Sequence, residues 1–280
     1  MRYTKYFILI ALAAFFELGC DQTIQSDYQE QIVVGAFLYA GAPIDSIVLH
    51  RTTPLSYYYD DTDYAVKGAQ VTVTVDGVVH TLKPLPEKGR YYLPASELIV
   101  QGGKTYNLSV VAPNLQNGGV HNISATTTVP MPIHLSGIID SIHGQTFTLD
   151  TNDLSHFAFL VTATTTDASD SRFILSVTAL DTSNGRVRKG NLNEDSSLFT
   201  RYSQMQTGPA IALTPNLIRW YGPNLMTFYA IDTNWWDYQR QVAGGGSSDY
   251  QPSLNHIVGA MGVFASGARD TVSVFIKPKQ

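Results

Sequence analysis

Beyond residue 30, apolar and polar residues alternate with a period of two in run after run, and Gly, Pro, Asn, Asp and Ser fall between the runs. That pattern marks half-buried β-strands joined by turns. The clearest run covers 70–82, where Val71, Val73 and Val75 share one face and Thr72 and Thr74 the other. Asp76-Gly77 supplies the two positive-φ positions of a type I′ turn, and Val78, Val79 and Leu82 return on the partner strand. Further strands are predicted over 31–39, 45–51, 103–110 and 123–129. Val129-Pro130-Met131-Pro132 is a stiff, extended joint, because proline cannot donate to a sheet ladder. The domain boundary is placed there.

The second half repeats the pattern over 157–166, 172–181 and 225–231. Two closing strands, 257–264 and 271–276, are expected on either side of Ser266-Gly267. The stretch 182–216 is polar and reads as irregular chain. One helix stands out over 234–242, with Thr233 as its cap, Trp235, Tyr238 and Val242 on one side, and Gly244-Gly245-Gly246 as its stop. The fold class is all-β: a sandwich of the immunoglobulin/transthyretin-like kind over 31–130, and a second β-sandwich over 131–280 with one short helix.

Residues 1–19 read as a signal peptide. Arg2 and Lys5 precede an unbroken apolar run over 6–16. As a helix that run reaches about 16 Å, roughly half the thickness of a bilayer core. Glu17-Leu18-Gly19-Cys20 follows and looks like a bacterial lipobox, although Glu17 stands where that motif usually has Leu. Lipidation of Cys20 would anchor the chain to a membrane, since each buried acyl CH₂ contributes about 0.8 kcal/mol. A soluble secreted form and an uncleaved anchor are the alternatives, and for Cys20 alone a buried free thiol. Residues 20–30 read as a lipidated, polar tether.

The chain has 280 residues, 44% hydrophobic and 15% charged, with one Cys and a net charge of −5. The acidic balance lacks the basic footprint of a nucleic-acid binder. A single Cys excludes a disulfide scaffold and a Cys-rich metal site. Lipobox and signal together place the protein outside the cytoplasm.

The chain carries no nucleophile elbow, zincin helix, phosphate loop or dinucleotide fingerprint. Its His residues are scattered, with none at i,i+2 or i,i+4 spacing. No catalytic residue, metal site or cofactor is assigned. Asp60, Asp61 and Asp63 form a weak calcium candidate, because hard cations want clustered carboxylates, but the loop lacks the Gly and the distal Glu of a hand-type site. A solvated loop is the plainer reading. Tyr57, Tyr58, Tyr59 and Tyr64 flank those acids. Tyr is large, stiff and polar at its tip, which suits a ligand or partner contact; packing onto the sandwich is the alternative. Trp235 and Trp236 are the other aromatic candidates. Adjacent helical residues point about 100° apart, so at most one of the two rings lies fully in the core. The other could stack on a sugar or a partner, or simply cover a sheet edge.

Several segments, in order, resemble one family of Bacteroidota lipoproteins classed as a domain of unknown function. They are Gln31-Ile32-Val33-Val34-Gly35-Ala36-Phe37, Gly68-Ala69-Gln70-Val71-Thr72-Val73, Gly89-Arg90-Tyr91-Tyr92, Gly103-Lys104-Thr105-Tyr106-Asn107-Leu108, Thr127-Thr128-Val129-Pro130, and the near-terminal 255–264 with Gly259, Gly262 and Phe264. The resemblance implies an outer-membrane lipoprotein, on the periplasmic or surface side, acting as an accessory to a TonB-dependent receptor. It implies no catalytic residues. The leading expectation is a non-catalytic, lipid-anchored binding or accessory protein. A fimbrial or adhesin-type subunit built by strand exchange, and a hydrolase with a site assembled across the fold, are the alternatives.

Overall fold

Ile32, Val34, Ala36 and Leu38 of β1 (Ile32–Tyr39) are buried, while the residues between them are half-exposed. One face of β1 therefore looks into a core and the other outward, as the alternation requires. The computed structural model describes residues 28–53, 64–114, 118–136, 146–149, 159–165, 172–187, 200–213, 217–243 and 256–278. In the first half β1 is followed by β2 (Ile44–Arg51), β3 (Gln70–Val75), β4 (Val78–Thr81), β5 (Lys83–Leu85), β6 (Arg90–Leu93), β7 (Thr105–Pro113) and β8 (Val120–Thr128). Then come β9 (Ile133–Ser136), β10 (Thr146–Leu149), β11 (Phe159–Thr165), β12 (Arg172–Ala179), β13 (Thr200–Tyr202), β14 (Ala210–Leu213) and β15 (Gly222–Ile231). Helix α1 (Thr233–Ala243), β16 (Ile257–Val258) and β17 (Met261–Pro278) complete the described chain.

Asp76 and Gly77 have φ of 50° and 78°, so the predicted turn forms and joins β3 to β4. Two sheets make the first sandwich. The order β1-β2-β6-β5 faces β8-β7-β3-β4, which is the A-B-E-D over G-F-C-C′ arrangement of immunoglobulin-type sandwiches. Between the sheets lie Val71, Val73, Tyr91, Tyr106 and Leu108. Each fully buried aliphatic side chain there contributes about 1.5–3 kcal/mol. The second sandwich packs β13-β12-β15-β17 against β14-β11-β9, with Phe173, Leu175 and Phe228 at its centre. The protein is all-β, two sandwiches and one short helix.

One strand joins the sandwiches. β17 has 18 residues, about 60 Å at roughly 3.3 Å per residue. Its first part pairs in parallel with β1, from Val33↔Met261 to Tyr39↔Gly267. The rest pairs antiparallel with β15, from Ile231↔Gly267 to Gly222↔Ile276. Both halves of the molecule thus share a single nine-stranded sheet. Ile257 and Phe264 pack in the first core, although they come from the far end of the chain.

Three sequence expectations are corrected. No break occurs at Ser266-Gly267: Ser266 is buried inside β17, and Gly267 gives room to a neighbour, since an added Cβ would stand 3.1 Å from Trp235 Cζ3. The glycines with positive φ lie upstream, at Gly259 (81°) and Gly262 (105°). The helix is capped by Asp232, whose Oδ1 accepts the Trp235 N–H at 2.9 Å. Thr233 instead accepts from Arg172 Nη1 at 2.9 Å. Finally, the polar stretch 182–216 contains β13 and β14, both at sheet edges. β13 is polar, as an edge strand may be, whereas β14 is apolar and sends Ile211 and Leu213 into the second core.

Candidate functional site

Cys20, Tyr57, Tyr58, Tyr59, Asp60, Asp61 and Asp63 lie outside the described residues. Both bases of the tyrosine-rich loop are described. Tyr64 is half-exposed, and its carbonyl accepts the Arg51 N–H at 2.9 Å. On the other side Thr52 receives the Tyr28 hydroxyl on its carbonyl, and Glu30 pairs with Arg51 at 2.5 Å and with His121 at 3.3 Å. The end of the tether is therefore docked beside the base of that loop. Among the described residues no three His, Cys, Asp or Glu side chains gather as a metal site.

Trp235 and Trp236 separate as the helical step dictates. Trp235 is 8% exposed and packs on the outer face of the large sheet, 4.8 Å from the Phe37 ring and 5.8 Å from Tyr229. Trp236 is half-buried, with the Arg172 guanidinium 5.1 Å above it. Helix α1 thus sits across β1 and β17 and leaves the sheet beyond it uncovered by helix.

That uncovered face forms a groove, with α1 as one wall and the edge strand β13 as the other. Near the helix it holds about 330 Å³, lined by Tyr39, Tyr202, Met205, Tyr229, Trp235 and Gln239 among others. Further out it holds about 540 Å³ over Ser176, Thr178, Thr200, Thr227, Arg269 and Thr271. The two parts share Tyr202 and Tyr229. Strand register explains the floor. Ser176 pairs with Thr227, Thr227 with Thr271, and Ser176 on its other side with Tyr202. Ser176 and Thr227 are 2% and 5% exposed, whereas Tyr202 at the rim is 62% exposed. Arg269 lies across the rim with its guanidinium 4.8 Å from the Tyr39 ring. Burial, and after it the neighbouring Tyr229, push the Tyr39 phenol up to about 12, against the pull of Arg269. The Tyr202 phenol is raised for the same two reasons, burial first. The Tyr39 and Tyr202 phenols therefore stay protonated and available as donors at neutral pH.

A second polar cluster lies where the sandwiches meet. Thr127 Oγ1 donates to Asp232 Oδ2 at 2.5 Å, and the Ser266 hydroxyl lies 2.7 Å from Thr127 Oγ1. A hydroxyl has one proton to give, so Ser266 donates to Thr127 in turn. Asn234 Nδ2 donates to the carbonyls of Thr126 and Phe264 at 2.7 and 2.8 Å. Burial pushes the Asp232 carboxyl above the usual carboxylate range, against the Thr127 hydroxyl and backbone N–H groups that pull it down. This cluster fastens the start of α1 to β8 and β17. A cavity of about 600 Å³ opens beside it.

Residues 20–272 match the family model described as a domain of unknown function, DUF4249. The chain belongs to the DUF4249 family. No curated protein matches it significantly. Among solved structures it is similar to a two-domain fibronectin type-III segment of chicken tenascin, at 9% identity and a TM-score of 0.22, covering 72% of this chain and 91% of that one. It is also similar to Drosophila N-cadherin EC1-4, at 14% identity and a TM-score of 0.24, covering 89% of this chain and 50% of that one.

For this DUF4249 member, the groove residues other than Trp235 were not singled out by sequence reasoning. Tyr39, Tyr202, Tyr229 and Arg269 come from four separate strands and share no local motif. For three of them the available signal was parity: Tyr39 adjoins Leu38, Tyr229 lies between Phe228 and Ala230, and Arg269 adjoins Ala268, all core residues, whereas the neighbours of Tyr202 lie outside the cores.

Proposed function

We propose that this DUF4249 protein is a lipid-anchored, non-catalytic binding or accessory protein of the outer membrane, held by acyl groups on Cys20 and working beside a TonB-dependent transporter. The groove carries the reading. It presents ring faces, hydroxyls and one guanidinium, groups that hold a ligand, on a rigid sheet shared by both sandwiches. Family membership and the lipobox-like 17–20 segment support the membrane setting. The docked tether supports a fixed orientation, since Glu30 is tied to Arg51 and His121.

The fimbrial alternative asks for a removable first strand. β1 is paired along both edges, with β2 and with β17, and its inward residues fill the first core. Withdrawing it would open that core.

The test is affinity capture of the native lipoprotein from crosslinked outer membranes. Recovery of a TonB-dependent receptor is the expected result. Repeated capture without any receptor, or mass spectrometry showing an unmodified Cys20 thiol with the leader attached, would overturn the reading.

A further inference from the structure

We propose that the groove between α1 and β13 binds an acidic saccharide, a sugar ring bearing a carboxylate or sulfate; this deepens the proposed function and rests on the reading of the protein as a binding protein. The floor points to a polyhydroxylated ligand. Thr271, Thr227 and Ser176 form one row across three neighbouring strands, about 4.8 Å apart. Ser176 and Thr227 line the floor of the cavity and are 2% and 5% exposed. Each hydroxyl can both donate and accept. A row of such groups matches the hydroxyl edge of a sugar ring.

The row ends on Tyr202, whose ring is largely exposed at the rim. A sugar offers C–H groups on its ring faces, and an aromatic face receives them. Tyr combines that flat apolar surface with a polar tip and little conformational freedom to lose.

Arg269 sets the charge preference. It is exposed and has no carboxylate partner among the described residues. Asp270, its neighbour, also lines the groove, but both its oxygens are engaged by backbone: Oδ2 accepts the Leu135 N–H at 2.9 Å and Oδ1 the Thr271 N–H at 2.8 Å. The guanidinium is stacked over the Tyr39 ring, which occupies its face and leaves its edge donors free. Those donors form a planar fork that fits carboxylate and sulfate oxygens.

The test uses the full-length lipoprotein in detergent and isothermal titration with two probes, tetragalacturonate and its uncharged counterpart galactotetraose. Saturable binding is expected for tetragalacturonate, with weaker binding of galactotetraose. Arg269→Gln should weaken the acidic probe by about tenfold, the size of one charge-assisted hydrogen bond, and leave the neutral one unchanged. Tyr202→Ala should weaken both alike. Both residues lie at the surface, and melting curves matching the parent protein establish that the variants are folded. Absence of saturable binding, equal affinity for the two probes, or an Arg269→Gln variant that binds tetragalacturonate as before overturns the inference. If a receptor co-purifies while neither sugar binds, the ligand class falls and the accessory role stands. If the sugar binds and no receptor is ever captured, the transporter partnership falls and the groove's assignment stands.

Discussion

Gly262 is where β17 comes against β1, and replacing it with Ala separates two costs that are usually entangled. Its φ is 105°, a region L residues rarely occupy, and an added Cβ would stand 2.0 Å from the Val34 carbonyl oxygen. Ordinary contact begins near 3.4 Å, so the strands would have to part by about 1.4 Å locally. Backbone hydrogen bonds stretched that far cease to count as bonds. The conformational strain is worth about 1–3 kcal/mol and the overpacking about 1–3 kcal/mol, so a loss of about 4 kcal/mol is expected for Gly262→Ala. For a chain of this size each kcal/mol moves Tm by about 2–4 °C, which gives a fall of about 8–16 °C. Gly41 is the control: its φ is 80°, and nothing lies within 4 Å of an added Cβ. Gly41→Ala should carry only the left-handed strain, about 1–2 kcal/mol, or about 2–8 °C on the same scale. Circular dichroism melts, with urea midpoints at unchanged m-value, are the assay. If Gly262→Ala melts no lower than Gly41→Ala, close approach to β1 is not what that glycine serves.

Asp232 predicts a pH effect of definite sign. Burial raises its folded-state pKa, so the stability it contributes is fully present below the unfolded value, about 3.9, and is lost as pH rises through the folded one. Asn also caps helices well, so the stability of Asp232→Asn relative to the parent should rise with pH above about 4 in urea titrations; a difference constant with pH contradicts this. Glu30→Ala strands the Arg51 guanidinium, whose side chain is only 8% exposed. Removing one partner of a buried pair costs about 3–5 kcal/mol, which urea unfolding would detect; a loss below about 1 kcal/mol, the scale of an exposed pair, would show that the pair is effectively solvated.

Local patterns were legible wherever a residue's role depends on its near neighbours. The 70–82 hairpin, its Asp76-Gly77 turn and the strand positions of β1 and β7 were read correctly, because period and turn chemistry act within a few residues. The helix was found, but its cap was misplaced by one residue. Thr233 and Asp232 are both good caps in isolation, and the choice turned on Thr127, a residue of β8 more than a hundred positions away. Ser266-Gly267 looked like a turn for a similar reason. Gly and Ser are turn formers by composition, yet this glycine clears space for Trp235 and this serine is hydrogen-bonded to Thr127.

Reading the chain alone therefore established the β class, most of the longer strand positions and the 70–82 hairpin with its turn. Folding settled the rest: that β17 runs unbroken from one core to the other, and that three hydroxyls, a tyrosine ring and an arginine from four strands meet in a groove. Strand periodicity is a property of consecutive residues, whereas register between distant strands is set by side chains meeting across the sheet. No local pattern encodes those meetings.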